Sequence, residues 1–369
     1  MKEIKFSKIN ILQEDINLVG KIIKSGWLTH GKYTKRFEDE FKKFTKSKYA
    51  VSVSSCTAGL HLSCLASGFK KGEEIIVPAQ THTATAHAVE YTGAKAVFAD
   101  VNKITGNISL KSIKKNYTKK TKGVIIVHMA GYPCDLKEII NFCKKKKLVL
   151  LEDCAHAVGT KYKKKHVGNF GLTGSFSFYP TKQITTGEGG MVTTNDKKVF
   201  EKIKKLKAFG IDKDIKDRKK QGDYDVKFLG YNYRMTDFQA ALGINQILNY
   251  KKNLKIRHIL VKRYLSNLSK IKNIKCMPYS KDCSYFIFQV FCKNRDKVLK
   301  ELKNLNIGVS VHYSNALPLM FYYKNKYNLN LIKYKNSIEY GSENISLPVY
   351  PKLKIREVDK ICKTITKLV

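Results

Sequence analysis

Lys182 stands in the run FSFYPTKQITTGEGGMVTTN, between an apolar segment and a glycine-rich turn, and Asp153 lies 29 residues upstream at the end of another apolar run. A lysine amine can condense with an aldehyde, and a carboxylate can keep a pyridine nitrogen protonated so that the ring accepts electrons. Together the two residue types point to an aldehyde-bearing pyridine cofactor. Lysine is also the chain's commonest charged residue, so one lysine could equally decorate a solvated surface. What separates Lys182 from the others is the scarcity of charge around it and the apolar runs on either side.

Other segments carry groups that would suit such a cofactor. In SVSSCTAGLHL, Ser54, Ser55 and Thr57 lead into a helical pattern whose first amides lack partners, a ready phosphate site and equally an ordinary helix cap. In PAQTHTATAHAVEYTG, Thr81 and His82 follow a β-type run, where a flat ring could stack on a pyridine or simply face water. LVLLEDCAHAVGT presents Glu152, Asp153 and His156 just past its apolar part; a helix-capping aspartate would look the same. Ser177, five residues before Lys182, is near enough to offer its hydroxyl to the same phosphate. Pro180 breaks the strand, and Gly187, Gly189 and Gly190 permit turns and close backbone approach.

The elements that must position these groups are legible as seven short β-type runs: Tyr49 to Ser55, Glu73 to Ala79, Lys95 to Val101, Gly123 to Met129, Leu148 to Cys154, Gly174 to Tyr179 and Gly189 to Asn195. Helical patterns such as AGLHLSCLAS and DLKEIINFCKKKK separate most of them, which predicts an α/β fold with a mainly parallel seven-stranded sheet covered on both faces. Thr236 to about Leu268 has helical spacing and joins the large domain to a smaller one. Beyond it, Tyr285 to Cys292, KVLKELKNLNIGVS and VDKICKTITKLV predict a small α+β domain. The expected division is residues 1–245 and 246–369.

The chain's 369 residues, 43% of them hydrophobic, suffice for two compact domains. No apolar run approaches the roughly 18 residues of a membrane span, and MKEIKFSKINILQED lacks a signal core, so the expected location is cytoplasmic, with no membrane partner. Nine cysteines without a Cys-x-x-Cys pair predict free thiols and no metal site. The net charge of +40 invites a nucleic-acid reading, yet only seven of the 70 basic residues are arginine and the lysines are spread along the chain. No nucleic-acid motif accompanies them. Part of the excess could steer a polyanionic substrate.

These motifs, in this order, resemble the DegT/DnrJ/EryC1/StrS family of fold-type I, pyridoxal 5'-phosphate-dependent aminotransferases acting on nucleotide-linked keto sugars. The corresponding stretches are GWLTHGKYTKRFEDEF, SSCTAGLHL, VPAQTHTATAHAVEYTGAKAVFADV, EDCAHAVGTKY, FSFYPTKQITTGEGGMVTTND, GYNYRMTDFQAALG, VHYSNALPL and SLPVYP, spanning nearly the whole chain. The resemblance implies Lys182 as the lysine that links to the cofactor and Asp153 as the partner of its ring nitrogen. It implies Thr57, Ala58 and Ser177 as the phosphate cradle, His82 in place of the usual stacking aromatic, and His156 as a polar neighbour. Asn232 matches an asparagine that reaches the cofactor phosphate of a partner subunit, so a homodimer with shared sites is implied. Thr29, His30, Glu188, Arg234 and His312 are the expected substrate contacts. Cys56 replaces the family's usual glycine. The implied reaction moves an amino group, from L-glutamate, onto C4 or C3 of a nucleotide-linked deoxy sugar for surface polysaccharide or glycan synthesis. A cyclic ketone such as an inosose is the alternative acceptor, and a non-catalytic cofactor-binding regulator the alternative class.

Overall fold

The β-type runs form the strands of a single sheet in the computed structural model, which describes residues 3–213, 218–220 and 222–369. They are β1 (Tyr49–Val53), β2 (Glu74–Pro78), β3 (Lys95–Ala99), β4 (Thr121–Val127), β5 (Val149–Asp153), β6 (Thr173–Ser177) and β7 (Gly190–Thr194), in the order β1-β7-β6-β5-β4-β2-β3. Only β7 runs against its neighbours; the other pairings are parallel. The carboxyl ends of β1, β2, β4, β5 and β6 therefore gather along one edge, where open α/β sheets hold their ligands.

Side-chain alternation explains why these runs are apolar throughout. Ile76, Val124 and Ile126 enter one core with Phe37, Phe41, Phe176 and Phe178, while Ile75, Val77, Ile125 and Leu151 enter another with Leu60 and Phe98. Both faces are covered, so neither set of alternate residues is free to be polar.

A separate core forms around β8 (Lys275–Cys276), β9 (Phe288–Phe291) and β10 (Asn344–Leu347), an antiparallel sheet in that order. It takes in the helices Tyr250–Leu268, Arg295–Asn304 and Ile355–Leu368, and also Ile4, Met129 and Ala130. Two local departures from the sequence pattern occur here. The helical stretch from Thr236 breaks at Asn249 into Asp237–Leu248 and Tyr250–Leu268, and the run from Tyr285 becomes regular strand only at Phe288. Tyr285 adopts φ +47°, which turns the chain before β9 begins.

The end of β5 is held by a fully buried carboxylate. Oε1 of Glu152 accepts from the amides of Phe170 and Gly171, each at 2.7 Å, and Oε2 accepts from the Gly168 amide at 2.8 Å and from His128 Nε2 at 3.1 Å. His128 Nδ1 accepts from the Cys134 amide, so the Nε2 nitrogen carries the proton. Burial alone would raise the Glu152 pKa, but His128 and the amides of Gly171 and Gly168 hold it below the ordinary glutamate value. A depressed carboxylate stabilises the fold above its unfolded pKa, and that contribution is lost as pH falls through the folded value. Glu152→Gln points an amide donor at two existing donors and should cost about 3 kcal/mol at neutral pH. In denaturant titrations the variant should also lack the share of acid destabilisation that the parent shows below about pH 4. Equal stability of the two proteins at neutral pH would refute the clamp.

Candidate active site

Lys182 leaves β6 on a turn in which its amide donates to the Tyr179 carbonyl at 2.9 Å. Its Nζ lies 4.5 Å from the centroid of the Phe286 ring. Burial disfavours the ammonium more than the nearby Cys56 and Asp153 favour it, and brings the lysine from 10.5 down to about 8. A substantial part of the amine is therefore neutral and nucleophilic near physiological pH.

Asp153 is buried at the end of β5. Its Oδ2 accepts from the Thr85 hydroxyl at 2.8 Å, itself 2.8 Å from the Thr81 hydroxyl, and its Oδ1 accepts from the Ala155 amide at 3.0 Å. The Cys56 thiol is 4.0 Å from Oδ1. All of these partners are neutral. Burial raises the Asp153 pKa, against the Ala155 amide, Thr85, and the charges of Lys182 and His82. A protonated pyridine nitrogen would supply the cation that the carboxylate lacks, so the residue fits its expected role.

Imidazoles surround the lysine. His156 is buried and stacks on Phe286 with centroids 4.5 Å apart; its Nδ1 accepts from the Ala130 amide at 3.3 Å, and its Nε2 faces the Tyr313 hydroxyl at 3.3 Å. Burial, then the charges of Lys182, His312 and His82, hold His156 well below the usual histidine value. Burial likewise lowers His312, with Lys182 and His82, to about 3. His82 exposes its ring, lies 5.6 Å from the Tyr313 ring, and caps the helix Thr83–Glu90 by accepting from the Ala84 amide at 3.2 Å.

The helix start and the end of β6, where a phosphate is expected, lie close together. The helix Cys56–Ala66 begins beside the paired residues Ser177 and Gly190 at the junction of β6 and β7. A Cβ at position 190 would lie 2.5 Å from the Ser55 carbonyl carbon and 2.7 Å from the Cys56 nitrogen, so only glycine lets the helix start approach the sheet this closely. The Ser55 hydroxyl already accepts from the Ala58 amide at 3.0 Å. Of the cradle residues, half-buried Thr57 offers a hydroxyl and a first-turn amide, and Ser177 offers its hydroxyl.

Thr29, His30, Asn232 and Arg234 form a second group. Arg234 Nε donates to Asn232 Oδ1 at 3.1 Å, Thr29 Oγ1 is 3.2 Å from His30 Nδ1, and His30 and Arg234 line one cleft with Lys204 and Ala208. No hydrogen bond described for these residues reaches the Lys182 group within the chain. Glu188 is exposed, and its carbonyl accepts from Thr186 and Gln239. Sequence reasoning did not single out Thr85, Phe286 or Tyr313 as site residues. Thr85 had a local signal, since it recurs with Thr81 and Thr83 after β2; Phe286 looked like any strand aromatic.

The DegT/DnrJ/EryC1/StrS aminotransferase family model matches residues 10–366. The chain is 35% identical to the spore coat polysaccharide biosynthesis protein SpsC of Bacillus subtilis, covering 97% of this chain and 95% of that protein. It is 33% identical to GDP-perosamine synthase of Escherichia coli O157:H7, covering 100% and 99%. Among solved structures, PseC of Helicobacter pylori, an aminotransferase involved in pseudoaminic acid biosynthesis, matches with a TM-score of 0.93 at 28% identity over 100% of this chain and 99% of that one. The PMP form of Spr1654, a candidate sugar aminotransferase of Streptococcus pneumoniae, also gives 0.93, at 29% identity over 100% and 98%. The chain belongs to this family, and is a pyridoxal phosphate-dependent sugar aminotransferase of the α/β class.

If burial sets the reactivity of Lys182, reductive trapping of a small aldehyde on the cofactor-free protein should rise with pH about a midpoint near 8 at that residue. Digestion and mass spectrometry at a series of pH values give the profile. A midpoint near the ordinary lysine value would show that the amine is solvated.

Proposed function

We propose that this family member transfers an amino group from L-glutamate to the keto carbon, C4 or C3, of a nucleotide-linked deoxy sugar destined for surface polysaccharide or glycan. The observation that carries the reading is the pairing of a half-buried Lys182, whose amine is shifted toward the neutral form, with a buried Asp153 whose hydrogen-bond partners are all neutral, on the ligand-binding edge of the sheet. Similarity to GDP-perosamine synthase and PseC supports the substrate class.

When bound, pyridoxal 5'-phosphate supplies an electron sink for the carbon that bears the transferred nitrogen. In this reading Asp153 would keep the ring nitrogen protonated, and Thr57 at the helix start and Ser177 at the end of β6 would hold the phosphate. His82 would stack on the ring. Lys182 takes the proton from the amine-bearing carbon of the donor and returns it in the opposite direction with the sugar. His156 and His312 stay neutral, which leaves Lys182 as the group able to exchange a proton at physiological pH. Phe286 lies against the Lys182 amine and stacks on His156.

A sugar carrying a diphosphate is a polyanion. The cleft lined by His30, Lys204, Lys207 and Arg234 suits its charge. We assign Asn232 and Arg234 to the neighbouring site in a homodimer on the strength of the family resemblance, in which the asparagine of GYNYRM reaches the partner subunit's cofactor. Thr29, His30, Glu188 and His312 complete the proposed substrate contacts.

Cofactor-loaded protein given glutamate and a panel of nucleotide keto sugars should yield the mass of an amino sugar together with 2-oxoglutarate. Lys182→Ala should abolish product and the visible absorbance of the lysine-linked cofactor, and Asp153→Ala should lower turnover at least about 100-fold. Turnover of cyclic ketones alone would overturn the nucleotide-sugar reading, and full activity in Lys182→Ala would overturn the site.

A further inference from the structure

Arg257, on the helix Tyr250–Leu268, is 4% exposed. Its Nη1 donates to the carbonyls of Tyr285 at 3.0 Å, Phe286 at 3.4 Å and Val349. These bonds fix the guanidinium plane and use one corner of it. Nε is buried with no partner, Nη2 has no hydrogen bond to a described residue, and no described carboxylate pairs with the charge. The unused edge, Nε with Nη2, has the two-donor geometry that matches both oxygens of a carboxylate. Arg257 lines a cavity together with Lys182, Gln183, Asn253 and Phe286, and Gln183 Oε1 is also buried without a partner.

We infer that Arg257 binds the distal carboxylate of a dicarboxylic amino donor while the donor's amine reacts at the Lys182 end of the same cavity. This rests on the transamination reading above. A buried guanidinium without an anion is costly, so a site that leaves it unpaired is poised to take one from a ligand. Phe286 stands between the two cations: its carbonyl accepts from Arg257 at 3.4 Å and its ring centroid lies 4.5 Å from Lys182 Nζ. One residue's width between guanidinium and amine suits a second carboxylate a side chain's length from the reacting amine.

Loss of the visible cofactor absorbance on adding an amino acid reads the donor half-reaction without any sugar, so the outcome is independent of the acceptor's identity. The parent protein should need at least about 10-fold less glutamate than glutamine for half-maximal rate. Arg257→Lys, which keeps the charge and loses the fork, should raise the half-saturating glutamate about 10- to 100-fold and the half-saturating glutamine less than about 3-fold. Glutarate, which has both carboxylates and no amine, should bind the cofactor-loaded parent in calorimetry and bind the variant weakly. A role confined to holding the Tyr285 and Phe286 carbonyls would lower the limiting rate and affect both donors equally, which would overturn the assignment. Should Arg257→Lys not fold, the parent alone decides: no preference for glutamate and no glutarate binding would reject the site.

Discussion

Two adjacent buried carboxylates end β5, and the strand's alternation sends them to opposite sides of the sheet. Glu152 is satisfied by four protein donors and acts as an internal anchor. Asp153 has only neutral partners, which leaves its charge to be balanced by a ligand. The first makes the second possible. Glu152 fixes the loop from Gly168 to Gly171 leading into β6, and His128 both donates to Glu152 and, through its amide, bonds the Asp153 carbonyl at 3.2 Å. A carboxylate held in low dielectric without a cation is unfavourable on its own, so its position must be enforced by neighbours that are themselves over-determined.

The same logic extends outward from β5. Gly190 lets the helix start at Cys56 approach the β6 and β7 junction. On the other side, the turn at Tyr285 lifts Phe286 out of the β9 strand and places it against both Lys182 and His156. Arg257 holds that turn through the carbonyls of Tyr285 and Phe286. The smaller core thus reaches the lysine through one aromatic ring, and a single buried cation ties the helix Tyr250–Leu268 to the position of that ring.

Lys182, Asp153 and the helix start were legible in the sequence because each interrupts or terminates an apolar run, where a polar group must meet a partner. The seven strands were legible for a related reason, since burial on both faces writes continuous β-branched and aliphatic runs. Phe286 and Arg257 were hidden because their meaning is long-range. An aromatic within YFIFQVFC reads as strand core, and the φ of Tyr285 that redirects it depends on a helix some 28 positions away. Arg257 itself was one of the few arginines in a chain full of lysine, with no local hint of burial. The break at Asn249 was equally invisible, as both flanking segments keep helical spacing. Thr29, His30, Asn232 and Arg234 were proposed through family resemblance alone, because no local pattern of residue types marks them.

Electrostatics give the site its last constraint. The chain carries a large positive excess, yet the charge nearest the chemistry is reduced rather than increased. Burial lowers Lys182 to about 8, and with the neighbouring positive charges it keeps His156 and His312 neutral. A cluster of one lysine and several imidazoles would otherwise repel itself and attract anions indiscriminately. With the imidazoles neutral, one amine can change protonation state near neutral pH while the rings contribute shape and hydrogen bonds. Asp153 needs a cation and Arg257 needs an anion, so the pocket's unmet charges lie on different residues and ask for different groups. That polarity would orient a bound cofactor and donor before any bond is made, and it arises from what the fold buries rather than from the net charge it displays.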